Sequence, residues 1–199
     1  MLLNWLEYAL MNNPVRALIQ RRAEGPYLRR LGGPVRNGVA LEIGAGRGVG
    51  VETIFAVFCA RQVDAFDIDP RMVALARTRL RGRGGVTLWT GDATHIPRPD
   101  RSYDAVFDFG VLHHVPDWRG ALREIARVLK PGGRLFAEEI LRAAIVHPVV
   151  RRLLTHPQQD RFDLKDLRTT CDGVGLRPIA ATSRWGAMAW LVAERTEDR

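Results

Sequence analysis

Cysteine, lysine and long apolar runs are what this 199-residue chain has least of, and each scarcity removes a class of protein. Its two cysteines, Cys59 and Cys171, stand in no C-x-x-C or cysteine–histidine spacing, so zinc and dithiol chemistry are not indicated. Cys59 falls on a predicted helix among Phe55, Val57 and Phe58, and Cys171 near a helix end. Both read as small apolar residues in a reducing compartment. No run of about eighteen apolar residues is present, which excludes a membrane-spanning helix. The first residues lack the basic, apolar, small-residue order of a secretion signal, and the expected location is the cytoplasm. A serine–histidine–acid or cysteine–histidine pattern is missing too, so covalent nucleophilic catalysis has no candidate.

With only two lysines, nearly all positive charge is arginine, and the net charge is +8 with a pI near 10.6. Such basicity raises nucleic acid or an anionic membrane surface as a partner. The arginines are spread over many predicted helices without interleaved aromatics, which weighs against nucleic acid. They gather only near the start, where Arg16, Arg21, Arg22, Arg29, Arg30 and Arg36 face Glu7 and Glu24. That cluster fits a solvated amphipathic face, or peripheral contact with a membrane surface or acceptor.

The chain has enough apolar material, 46% of its residues, for one core and one α/β domain over residues 1–199. Residues 1–36 read as a helical lead-in, with helices at 2–11 and from Asn13-Pro14 to about Ala23. Gly25-Pro26, Gly32-Gly33-Pro34 and Asn37-Gly38 then punctuate the chain. Residues 37–139 carry strands near 39, 62, 86, 103 and 134 alternating with helices near 48, 70 and 118, the rhythm of a mostly parallel sheet. Asn13 before Pro14, Asp69 before Pro70, and Asp117 are predicted helix caps. The spacing of Trp118, Ala121, Leu122, Ile125, Val128 and Leu129 gives one apolar helix stripe. Residues 140–199 add helices at Val146–Leu154 and Asp163–Cys171 and strands at 176–184 and 187–194. Only a few residues around Trp185-Gly186 join those strands, which makes them antiparallel neighbours.

One stretch is most informative. Val39 to Ile43 reads as a buried strand running into Gly44-Ala45-Gly46-Arg47-Gly48, a turn where missing Cβ atoms let a ligand approach bare backbone. The dinucleotide fingerprint G-x-G-x-x-G fails at Val49, and Glu42 two residues before Gly44 would repel a pyrophosphate while attracting a cationic or hydroxyl-rich ligand. Asp67 follows Gly46 by 21 residues, the spacing that puts a carboxylate at the tip of the neighbouring strand, where it accepts both hydroxyls of a ribose.

From here the chain resembles the class I S-adenosylmethionine-dependent methyltransferases. Gly91-Asp92-Ala93 after Val86–Thr90, Ser102 to Asp108, Val111-Leu112-His113-His114-Val115, and Leu129-Lys130-Pro131-Gly132-Gly133-Arg134-Leu135 continue the resemblance in order over about residues 39–139. Within the family it is similar to the small-molecule branch that includes ubiquinone and menaquinone methylases. The resemblance implies a Rossmann-like, doubly wound seven-stranded sheet, mostly parallel with one antiparallel strand near the C-terminus. It also implies S-adenosylmethionine as cofactor and methyl transfer by in-line displacement to a small, apolar or lipid-like acceptor, where placement and exclusion of water supply the rate.

By that resemblance, Glu42, Gly44, Ala45 and Gly46 hold the methionine end, Asp67 the ribose, and Asp92, Ala93 and Ile68 the adenine, with Ile96 an apolar neighbour. Asp108 at the end of the fourth strand would lie near the sulfonium, to orient or deprotonate the acceptor, or else serve as a cap-like backbone partner. His113, or His114 beside it, is either a general base or packed structure. No third ligand completes a metal site, and none is expected. Glu138, Glu139, His147 and His156 follow the fifth strand, and nothing in the sequence ranks them. A nucleic-acid acceptor and a non-catalytic cofactor-binding protein are the alternatives. Oligomeric state is not legible.

Overall fold

A computed structural model describes residues 13–146 and 160–197. Asn13 opens the first described helix, its side chain accepting from the Arg16 amide at 2.8 Å, with Pro14 in the first turn. Helix α1, Pro14–Ile19, passes through a π-helical turn at Gln20–Glu24 into α2, Gly25–Gly32. Gly25-Pro26, expected as a break, therefore lies inside a helical run. Proline lacks an amide hydrogen to continue an α-helical ladder, and the π turn before it absorbs the discontinuity. Gly25 has its own reason: a Cβ there would stand 2.6 Å from the Thr53 methyl. The expected helix at 2–11, and 146–154 beyond Val146, lie outside the described residues.

The core alternates as expected. Strand β1 is Val39–Ile43; α3, Val49–Thr53, continues as a π-helical segment at Ile54–Phe58. Strand β2 is Gln62–Asp67, α4 is Pro70–Arg79, β3 is Val86–Thr90 and β4 is Tyr103–Phe109. A 3₁₀ turn at Leu112–His114 leads to α5, Trp118–Val128, and β5, Leu129–Ile140. A short α6, Arg142–Ile145, then α7, Leu164–Gly173, precede β6, Leu176–Arg184, and β7, Met188–Arg195. The predicted caps form: Asp69 accepts from the Arg71 amide at 2.9 Å and Asp117 from the Gly120 amide at 2.8 Å. Leu129 to Gly133 form a bulge within β5, since Tyr103 pairs with Leu129 while Ala105 pairs with Arg134.

The seven strands lie in the order β3-β2-β1-β4-β5-β7-β6, and β7 alone runs opposite to the other six. The chain steps outward from β1 on one side, then returns to β4 on the other. That reversal leaves a crevice at the carboxyl ends of β1 and β4, where open α/β sheets bind ligands.

Strand alternation sorts side chains between two apolar layers. On one face Leu41, Ile43, Val106, Leu135 and Ala137 pack under α5 and α7, with Trp118, Leu122, Ile125 and Leu167. On the other, Ala40, Phe107, Phe136 and Val192 pack under α2 and α3, with Leu28, Val51 and Phe58. Phe107 and Phe136 stack with centroids 4.9 Å apart, and Phe58 meets both edge-on. Cys171 is buried as expected, whereas Cys59 is exposed. Its left-handed backbone (φ 61°) ends the helix and turns the residue outward. No helix among the described residues is long and apolar enough to cross a membrane.

Candidate active site

The glycine turn after β1 is built on left-handed backbone, with Gly44 at φ +64°, Gly46 at +50° and Gly48 at +85°. A Cβ on Gly44 would strike Val111 at 2.3 Å, so the turn and the segment after β4 close on each other. At Gly46 the position of a Cβ is open space, and the bare backbone faces the crevice. The Ala45 amide donates to the Phe66 carbonyl at 2.8 Å, tying the turn to β2.

Asp67 receives the turn. Its Oδ2 accepts from the Gly46 amide and its Oδ1 from the Asp69 amide, both at 2.9 Å. Burial raises its pKa, against the lowering effect of those two amides. Glu42 is sealed beneath the turn at 2% exposure, and its Oε2 has no hydrogen-bond partner. Burial first, then the charge of Asp67, holds its pKa well above the ordinary carboxylate range. A buried carboxyl oxygen without a donor is costly, so it fits a site that a donor-bearing ligand completes.

Gly44, Gly46 and Asp67 border a crevice of about 360 Å³, within the range of small-ligand sites. Of the residues singled out in the sequence, Gly44, Gly46, Asp67, Ile68, Asp92 and Ala93 line it. Asp92 Oδ1 accepts from the Thr94 amide and hydroxyl, both at 2.8 Å, which fixes its carboxylate at the rim. Ala45, Glu42 and Ile96 stand behind that wall. The far wall is Phe109, Gly110, Val111, His114, Val115 and Pro116.

Asp108 and His113 are elsewhere. Asp108 has no exposed surface and His113 only 2%, and neither borders the crevice. Asp108 Oδ1 accepts from the Val111 amide at 2.9 Å. His113 Nδ1 lies 2.6 Å from Glu139 Oε2, and the His113 and His114 rings are 4.1 Å apart, centroid to centroid. Glu139, unranked in the sequence, gathers this segment: it accepts from the amides of Val111 (3.0 Å), Leu112 (2.7 Å) and His113 (3.3 Å). Neighbouring Glu138 points through the opposite face to Arg16 and the Trp190 indole, both at 3.1 Å. His147 and His156 lie outside the described residues. No group of three or more metal-ligating side chains gathers among the described residues.

The methyltransferase domain family matches residues 41–137, just under half of the chain. This stretch is similar to S-adenosylmethionine-dependent methyltransferase domains. The chain is 40% identical over 95 residues to the demethylmenaquinone methyltransferase of Tropheryma whipplei (strain Twist), covering 48% of this chain and 38% of that protein. It is 33% identical over 93 residues to the fatty-acid O-methyltransferase of Mycolicibacterium smegmatis, covering 47% of this chain and 34% of that protein. The chain spans less than half the length of these curated relatives. A SAM-dependent methyltransferase structure from Aquifex aeolicus superimposes with a TM-score of 0.76 at 18% identity, covering 96% of this chain and 97% of that one, which shows the shared fold.

The methyltransferase domain explains the site's departures from a dinucleotide fold. Its glycine turn carries an acid beneath it, suited to a cationic amino end, where a pyrophosphate would be repelled. The open cradle at Gly46 and carboxylates at two strand tips fit a sulfonium nucleoside.

Proposed function

We propose that this protein transfers a methyl group from S-adenosylmethionine to a small, apolar acceptor. The observation that carries the reading is one crevice in which bare glycine backbone, Asp67 and Asp92 share a largely apolar lining that includes Phe66, Met72, Phe109 and Val115. When bound, S-adenosylmethionine supplies a methyl group made electrophilic by its sulfonium. The open backbone at Gly46 leaves room for the methionine end, and Glu42 behind the turn holds the glycine loop that receives it. Asp67 accepts from the ribose hydroxyls, while Asp92, the Ala93 amide and Ile68 take the adenine.

The apolar lining excludes water and gives an apolar acceptor its contact surface, so the protein acts by placement. The quinone and fatty-acid chemistry in the names of the two curated relatives supports the same acceptor class. Isotope-labelled S-adenosylmethionine incubated with the chain and fractionated cell extract tests it. Label is expected in the lipid or small-molecule fraction, and label in RNA or DNA alone would replace this acceptor by the nucleic acid that the +8 charge also suits.

A further inference from the structure

The buried carboxyls of Asp108 and Glu139 belong to no part of the crevice, yet they lie against one of its walls. They come from adjacent strands, β4 and β5, on the same face of the sheet, since Asp108 pairs with Ala137 and Glu139 is two residues further. Both are almost wholly buried. As two carboxylates they would be adjacent like charges, and Asp108 Oδ2 would have no donor. The two carboxyls meet at one donor, the Val111 amide, 2.9 Å from Asp108 Oδ1 and 3.0 Å from Glu139 Oε1, and a proton between them would give Asp108 Oδ2 the partner it lacks.

We propose that Asp108 and Glu139 act as one singly ionised carboxyl pair that positions the Gly110–Val115 wall of the crevice, with Glu139 as the positioning residue and Asp108 as its proton donor. The inference rests on the ligand assignment above. The His113 and His114 rings, in tilted contact, pass that order to the crevice surface, because His113 is tied to Glu139 and His114 borders the crevice. The other groups facing the pair are Arg161, which donates to the His113 carbonyl and lies near Glu139, and the buried thiol of Cys171 in α7. Burial pushes both carboxyls up, Asp108 well above its usual range and Glu139 to about 7, so one bound proton at neutral pH is consistent with the geometry.

Losing that proton as pH rises would set two anions beneath the wall and weaken ligand binding. Asparagine at 108 mimics the protonated acid: its oxygen accepts from Val111 and its amide donates to Glu139.

The test is the affinity of the full chain for S-adenosylhomocysteine by calorimetry between pH 6 and pH 9, with amide exchange at Val111, Leu112 and His113. Asp108→Asn should bind within about threefold of wild type at pH 7 and lose less affinity toward pH 9. Asp108→Ala and Glu139→Gln should lose roughly tenfold or more throughout, as expected when a charge-assisted hydrogen bond is removed. Asp108→Asn failing as badly as Asp108→Ala, or Glu139→Gln binding like wild type, would overturn the pair. If Glu139→Gln does not fold, an alkaline loss in Asp108→Asn equal to wild type overturns it alone. If wild type binds no S-adenosylhomocysteine, the ligand assignment fails; the three amides should still lose protection at alkaline pH in wild type and keep it in Asp108→Asn, and equal behaviour would sink the pair.

Discussion

Oε1 of Glu42 lies 1.8 Å from where a Cβ on residue 50 would stand, so the buried acid and the entry to helix α3 share one volume that glycine leaves open. The Glu42 Cδ and Phe109 Cδ2 crowd the same point at 2.5 and 2.9 Å. Gly50→Ala must therefore displace Glu42 or the helix, costing about 1–3 kcal/mol as overpacking does. For a chain of this size that lowers the melting temperature by roughly 3–10 °C. Scanning calorimetry checks it, and an unchanged melting point would mean Glu42 has another place to go.

Asp67→Ala should lower affinity for S-adenosylhomocysteine by roughly 10- to 100-fold, the loss expected for charged hydrogen bonds to two hydroxyls. The Gly46 and Asp69 amides lose their acceptor as well, but water reaches this partly exposed position, so the stability loss should be smaller than that of Gly50→Ala. Isothermal titration of wild type and variant decides it. Equal affinities would remove Asp67 from the ribose.

The pH dependence of stability follows from the buried acids. Burial raises Glu138 to about 8 and Glu139 to about 7, above their unfolded values. A raised acid contributes stability that is full below its unfolded pKa and is lost as pH climbs through the folded one. Asp69, held down first by Arg71, and Glu124, held down first by Arg127, act oppositely and lose their contribution on acidification. The melting temperature should therefore fall from about pH 4.5 to about pH 8, and also below about pH 4. In Glu138→Gln the alkaline slope should be shallower, and a slope identical to wild type would show that Arg16 and Trp190 already hold Glu138 ionised.

The two cysteines should respond differently to a thiol reagent. Cys59 is exposed, whereas Cys171 is buried and its thiol is pushed up to about 12 by burial. Only a thiolate reacts readily, so mass spectrometry should find one adduct on the native chain and two after denaturation. A second adduct under native conditions would mean that α7 opens on the labelling timescale.

Several features are legible in the amino-acid order because they depend on near neighbours in the chain. Asn13, Asp69 and Asp117 are readable as caps, since a cap bonds amides two or three residues ahead. Strands β1 and β3 show as runs bounded by glycine, and the short Trp185-Gly186 connection requires reversal between β6 and β7. The cradle is readable as well, because Gly44, Gly46, Asp67, Asp92 and Ala93 occupy consecutive strand ends that the parallel topology must bring together. Gly25-Pro26 misleads because its meaning comes from Thr53, and Cys59 because its backbone turns left-handed there.

Glu138 and Glu139 mark where sequence ends and packing begins. The chain itself determined that two acids close β5, and strand alternation determined that they face opposite layers. Which layer each entered was decided by the return of α1 and β7 on one side, placing Arg16 and Trp190 at Glu138, and of the Val111–His113 segment on the other, at Glu139. An acid's protonation and partners depend on groups distant in sequence, through burial and charge at a few ångströms. Local pattern set where the acids stand along the strand, and tertiary contact set what each one does.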